Sequence, residues 1–213
     1  MSAATLPNLP RGQHLVLADL LGRSCAKDAG LAVIGAAWVA LASQIAIPLG
    51  FTPVPLSLGT FAVLTVGSAL GSQRGLAAVA IFAAAGWLGA PVFAGGHHGL
   101  ELPTSGYILG YMLAAFFVGR AAEQGWDRSA IRAFAVMAGA SAVIYLFGVP
   151  YLVFATNTGW WPAIAQGAVP FIPGDLLKAA AAGASIPALW HLLAARRATR
   201  TKSSEPEKKS TSA

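Results

Sequence analysis

Leu31–Leu49 reads LAVIGAAWVALASQIAIPL, nineteen residues without one Asp, Glu, Lys or Arg. The hydrocarbon core of a bilayer is about 30 Å thick, and a helix needs about 20 largely apolar residues to cross it. This run meets that need, and the rest of the chain repeats it. After the break Gly50-Phe51-Thr52-Pro53, similar stretches cover Pro55–Gly71, Gly75–Phe93, Gly106–Ala122, Ala130–Ala155 and Pro173–Ala195. Only 10% of the 213 residues are Asp, Glu, Lys or Arg and 56% are apolar, where soluble domains carry roughly 25% charged residues. The runs do not alternate in polarity, which excludes a membrane β-barrel. They are rich in Ala and Gly, small residues that let helix backbones approach closely in lipid. The sequence therefore predicts an all-α integral membrane protein, a compact bundle of six transmembrane helices over 30–195. A segment 1–29 precedes it, and a basic tail 196–213 of disordered composition follows.

The positive charges predict orientation, because cytoplasmic loops carry the Lys and Arg excess. Arg11, Arg23 and Lys27 precede the first span, Arg74 separates the second and third, Arg120, Arg128 and Arg132 surround the connection between the fourth and fifth, and six more follow the sixth. The other three connections have none. Both termini are expected in the cytoplasm, in a multi-pass protein of the bacterial cytoplasmic (inner) membrane. Topology accounts for the net charge of +6, so nucleic acid is not expected as a partner; the lipid bilayer is. Cys25 is the single cysteine, which excludes an internal disulfide and a CxxC site. No removable signal peptide is expected. There is no G-x-x-x-x-G-K-[ST] phosphate loop, G-x-S-x-G or H-E-x-x-H, so neither ATP hydrolysis by a P-loop nor enzyme activity is expected, and no cofactor.

An ionisable residue inside a spanning segment is costly and marks a functional site by default. Asp175 and Lys178, in Pro173-Gly174-Asp175-Leu176-Leu177-Lys178, stand three residues apart on one helix face near its outer end. Two readings remain open. In one, Asp175 complements the helix N-terminus and Lys178 pairs with it or snorkels to the outer headgroups. In the other, Lys178 attracts the carboxylate of a small ligand and Asp175 orients it. The loop Ala94–Ser105, with its glycines, suits a lid; His97, His98 and Glu101 are expected in solvent rather than on a metal. Tyr107 and Tyr111 share a helix face, and Gln44 is isolated among apolar residues. Each is a candidate hydrogen-bonding group for a ligand, with interfacial or helix-pairing roles equally open. Trp160 and Trp161 read as interfacial belt residues. Ala32, Ala36 and Ala40 form a small-residue stripe on the first span, either internal packing or a partner-docking surface.

Four stretches resemble one known family: QIAIP (44–48) with FTPVPLSL (51–58); ALG (69–71) with Arg74-Gly75; GWLGAPVFAGG (86–96); and FIPGDLLK (171–178). In this order and spacing they resemble BioY, the biotin-specific S component of energy-coupling factor (ECF) transporters. The resemblance implies a six-helix fold and biotin bound on the outer side, with Asp175 and Lys178 near its carboxylate. Trp87, Phe93, Tyr107 and Tyr111 would face its apolar body, and Gln44 and Thr104 complete the candidate substrate-binding set. It further implies a transmembrane coupling protein and two ATPase subunits as partners, docked partly through Ala32, Ala36 and Ala40. An S component for another vitamin and a self-sufficient secondary biotin transporter are the alternatives. The family commonly enters the fourth helix through Gly-Pro-Thr-Gly-Gly-Tyr, whereas Leu102–Tyr107 reads Leu-Pro-Thr-Ser-Gly-Tyr.

Overall fold

The structure, a computed structural model, describes residues 15–22 and 24–203. It is an all-α, multi-pass membrane bundle of helices α1 (Cys25–Gln44), α2 (Gly59–Leu70), α3 (Ser72–Trp87), α4 (Ser105–Glu123), α5 (Ala130–Thr156), α6 (Trp160–Gly167) and α7 (Ile172–Ser203). Four of them, α1, α4, α5 and the Ile172–Leu193 part of α7, are long and apolar enough to cross a membrane.

The departures from the expected spans have local causes. The second span starts at Gly59 rather than Pro55. Pro53 and Pro55 lack backbone donors, and a residue before proline is held extended. Leu56-Ser57 instead pairs antiparallel with Ala46-Ile47 in a two-stranded ribbon, β2 against β1. The third span starts three residues and ends six residues closer to the N-terminus than expected, ending at Trp87, because Gly89 takes φ 105° and Pro91 follows. Helix α6, with the exposed Trp160 and Trp161, lies in the connection before α7. At the C-terminal end, α7 continues through Ser203, so the expected tail 196–213 begins as helix; residues 204–213 lie outside the described ones. Residues 1–14 and 23 of the expected N-terminal segment do too, while residues 25–29 already belong to α1.

Small residues set the helix contacts. A Cβ on Gly67 would stand 2.6 Å from the Ala115 carbonyl oxygen, and one on Gly119 would stand 2.4 Å from the backbone of Gly71 and Ser72. Helices α2, α3 and α4 therefore meet backbone to backbone. Glu123 on α4 completes this joint: its Oε1 accepts from the Ser72 backbone N–H (2.8 Å) and hydroxyl (2.7 Å), placing a carboxylate on the free N–H groups that open α3. Ala32 and Ala36 are 4% and 6% exposed and belong to the main core. In this conformation both pack inside the bundle, and Ala40 is half-buried. The exposed apolar side of α1 is formed by Val33, Ile34, Trp38 and Leu41.

At the end of the bundle that carries the Lys and Arg excess, the 3-10 turn Leu17–Leu21 docks through the buried Val16 and Ala18. Arg74 holds it, with Nη1 2.9 Å from Asp19 and Nε 2.9 Å from Asp28. Arg128 donates to the Leu15 carbonyl (2.7 Å) and lies 3.6 Å over the Trp190 ring of α7. Trp190 in turn donates to Asp127 (2.6 Å). Burial raises the Asp127 carboxyl pKa above the ordinary range; the Trp190 hydrogen bond and the Arg128 charge pull the other way.

Candidate ligand-binding site

At the opposite end, the bundle encloses a cavity of about 240 Å³. Its walls come from α1 (Ser43), the β1–β2 ribbon and its loop (Pro53–Pro55, Ser57), α2 (Thr60), α3 (Phe82), the loop 88–104, α4, α5 and α7. Most of the lining is apolar or aromatic with a few polar groups, the usual make-up of a small-molecule site.

The charged part is on the first turns of α7. Asp175, 7% exposed, uses both carboxylate oxygens: Oδ1 is 2.9 Å from Lys178 Nζ, and Oδ2 accepts from the Tyr145 hydroxyl of α5. The i, i+3 spacing places Asp175 and Lys178 side by side. Since α5 packs on α7, the phenol of Tyr145 reaches across to fix the carboxylate. Tyr107 donates to the Gly167 carbonyl (2.8 Å), so its hydroxyl is committed to the protein and its ring forms wall. Tyr111 lies 3.4 Å from the Thr60 hydroxyl.

Of the candidates from the sequence, Asp175, Lys178, Tyr107, Tyr111, Phe93 and Thr104 come together at this cavity. Gln44 and Trp87 do not line it. The Gln44 amide donates to the carbonyls of Val92 (3.0 Å) and Phe93 (3.2 Å), which makes it the anchor of the loop 88–104. Trp87 packs on the core, and its buried indole N–H has no hydrogen-bond partner among the described residues. His97, expected in solvent, is exposed on one side yet lines the cavity. Tyr145, Thr60, Ser57 and Ser43 were not among the expected ligand-facing residues. Tyr145 did carry a signal, a lone phenol within the apolar run VIYLF (143–147).

The loop 88–104 is fastened on both sides. Gln44 holds Val92 and Phe93, while Ser105 (2.7 Å) and Tyr151 (3.0 Å) both donate to the Leu100 carbonyl. Behind Phe93 stands Gly86, where a Cβ would lie 2.2 Å from the Phe93 ring. Gly86→Ala is therefore expected to displace Phe93 from the cavity wall. Overpacking of this kind costs about 1–3 kcal/mol, and ligand affinity measured on the purified variant should fall while the helical content stays unchanged.

The BioY family model matches residues 13–195, nearly the whole described chain. The chain belongs to the BioY family. This BioY chain is 35% identical over 178 residues to the biotin transporter BioY of Rhizobium etli, an alignment covering 78% of this chain and 95% of the relative. It is 37% identical to the biotin transporter BioY of Rhodobacter capsulatus, with 68% and 83% covered. It is 36% identical to the probable biotin transporter BioY of Pyrococcus horikoshii, with 74% and 92% covered. Among solved structures, the S-component for biotin from an ECF-type ABC transporter superposes with a TM-score of 0.67 at 24% identity, covering 78% of this BioY chain and 92% of that chain. At that identity the likeness is one of fold.

Proposed function

We propose that this BioY-family protein captures biotin from the outer side of the cytoplasmic membrane, acting as the substrate-binding S component of an ECF-type importer. The observation that carries this reading is the cavity itself. It places one ion pair, Asp175–Lys178, among aromatic walls and hydroxyls, and biotin presents a carboxylate, an apolar chain and bicycle, and a ureido group. The curated relatives named above are biotin transporters or probable ones.

In this reading α1–α5 and α7 are the six crossing elements, with α6 in an outer connection and both termini in the cytoplasm. At 1.5 Å per residue, α2 and α3 are shorter than the apolar core. The β1–β2 ribbon and the loop 88–104 complete their outer ends, closing the cavity from outside. The one-sided distribution of Lys and Arg supports the orientation. A transmembrane coupling protein and two ATPase subunits would supply the energy. Ala32 and Ala36 are inside the bundle, so docking through α1 would use its exposed face unless the helix rotates.

Lys178→Ala is expected to weaken biotin binding by about 1.5–3 kcal/mol, the scale of a hydrogen bond to a charged group. Equilibrium binding of labelled biotin to the detergent-purified protein measures it. Unchanged affinity in the variant would remove Lys178 from the ligand's carboxylate.

A further inference from the structure

Among the described residues that line it, the cavity holds one ammonium group, Lys178, and one carboxylate, Asp175, and these neutralise each other at 2.9 Å before any ligand arrives. With Tyr145 on its second oxygen, Asp175 is held as an acceptor. An incoming carboxylate therefore makes the site a group of two anions and one cation, and an unbalanced buried charge is strongly unfavourable. Among the other described residues that line the cavity, only His97 can gain a positive charge. The phenols of Tyr107, Tyr111 and Tyr145 can only lose a proton, and the serines and threonines stay neutral.

The position of His97 suits that task. Its Nδ1 lies 2.8 Å from the Ala94 carbonyl oxygen. A carbonyl only accepts, so Nδ1 carries the proton of the neutral ring and a second proton goes to Nε2. The residue sits between Gly95 and Gly96 (φ 69° and 77°) and Gly99 (φ 100°). These conformations are open to glycine at little steric cost and let the segment adjust between its anchors at Phe93 and Leu100. The ionisable groups around it are few. Its own loop carries His98 and Glu101, both exposed. Tyr107 and Tyr111 come from α4, Tyr145 and Tyr151 from α5, and Asp175 and Lys178 from α7, while α1, α2, α3 and the ribbon bring none to the cavity.

We propose that His97 is a specificity-determining residue that takes up a proton when a carboxylate-bearing ligand enters, supplying the second positive charge this cavity otherwise lacks. The proposal rests on the biotin reading and adds to it that binding is linked to protonation and favours the acid over its uncharged derivatives. Imidazole is the side chain whose charge ordinarily changes between about pH 5 and 8. Ligand binding favours its charged form, so affinity should be greatest at the acid end and fall as pH rises.

The test compares equilibrium binding of biotin and of its uncharged amide to the full-length protein, His97→Gln and His97→Arg, from about pH 5.5 to about pH 8.5. For the wild type, biotin should weaken on the order of tenfold across that range, the change that one unit of linked pKa shift produces, while the amide stays flat. His97→Gln should bind biotin weakly at every pH and the amide as before, and His97→Arg should bind biotin tightly at every pH. Biotin binding that is independent of pH in the wild type, or that keeps its pH dependence in His97→Gln, overturns the proposal and leaves the biotin reading standing. Absence of binding of either ligand by folded wild type overturns both.

Discussion

Asp175→Ala is expected to abolish biotin capture and to destabilise the cavity end of the bundle in the same step. The substitution leaves the Lys178 ammonium, whose side chain is only 12% exposed, without its counterion, and deprives the Tyr145 hydroxyl of its acceptor. Removing one partner of a buried pair costs about 3–5 kcal/mol, mostly because the other charge remains. That accounting yields a control. In Asp175→Ala/Lys178→Met no charge is stranded, so thermal unfolding in detergent should recover most of the lost stability while biotin binding stays absent. A double variant as unstable as Asp175→Ala would mean that the pair is not the source of the loss. A double variant that binds biotin like the wild type would show that neither charge contacts the ligand.

Gly119→Val is the second large effect, and it acts far from the cavity. The first added carbon would stand 2.4 Å from the backbone of Gly71 and Ser72, and backbone cannot move aside as a flexible side chain would. Helix α4 must separate from the α2–α3 turn, and Glu123 then loses its hold on the N-terminus of α3. Overpacking alone costs about 1–3 kcal/mol and can cost more, and a lost cap adds about 0.5–2 kcal/mol. Gly139 is the internal comparison, because a Cβ there meets nothing within 4 Å. Gly139→Ala should leave the unfolding temperature unchanged or raised. Equal behaviour of the two variants would contradict the account of close backbone packing around Gly119.

The membrane class and most helices are legible in the sequence because the bilayer punishes charge. Runs such as Leu31–Leu49 can hardly be anything else, and Asp175 and Lys178 stand out against that background for the same reason. Boundaries are less legible where proline has two meanings. Pro55 can open a helix or hold its predecessor extended, and only pairing of Leu56-Ser57 with Ala46-Ile47 decides for the second. Hydrogen-bond partners are not legible at all. Gln44 looks like a ligand-binding amide, yet the carbonyls that take its protons belong to Val92 and Phe93, far along the chain. Tyr145 and Asp175 are 30 residues apart, on helices whose rotation about each other no spacing rule specifies. The stripe Ala32-Ala36 has the same ambiguity, since small residues serve a neighbour helix and a partner protein equally well. His97 and His98 read as solvated, and both are exposed; that His97 also lines the cavity depends on the path of the loop, which no spacing rule specifies.

The central claim is that this cavity holds biotin, and equilibrium binding of labelled biotin to the purified wild-type protein, competed by a panel of other vitamins, tests it most directly. The account predicts saturable submicromolar binding that unlabelled biotin displaces and the other vitamins do not. Folded protein that fails to bind biotin, or that releases it to another vitamin, would contradict it.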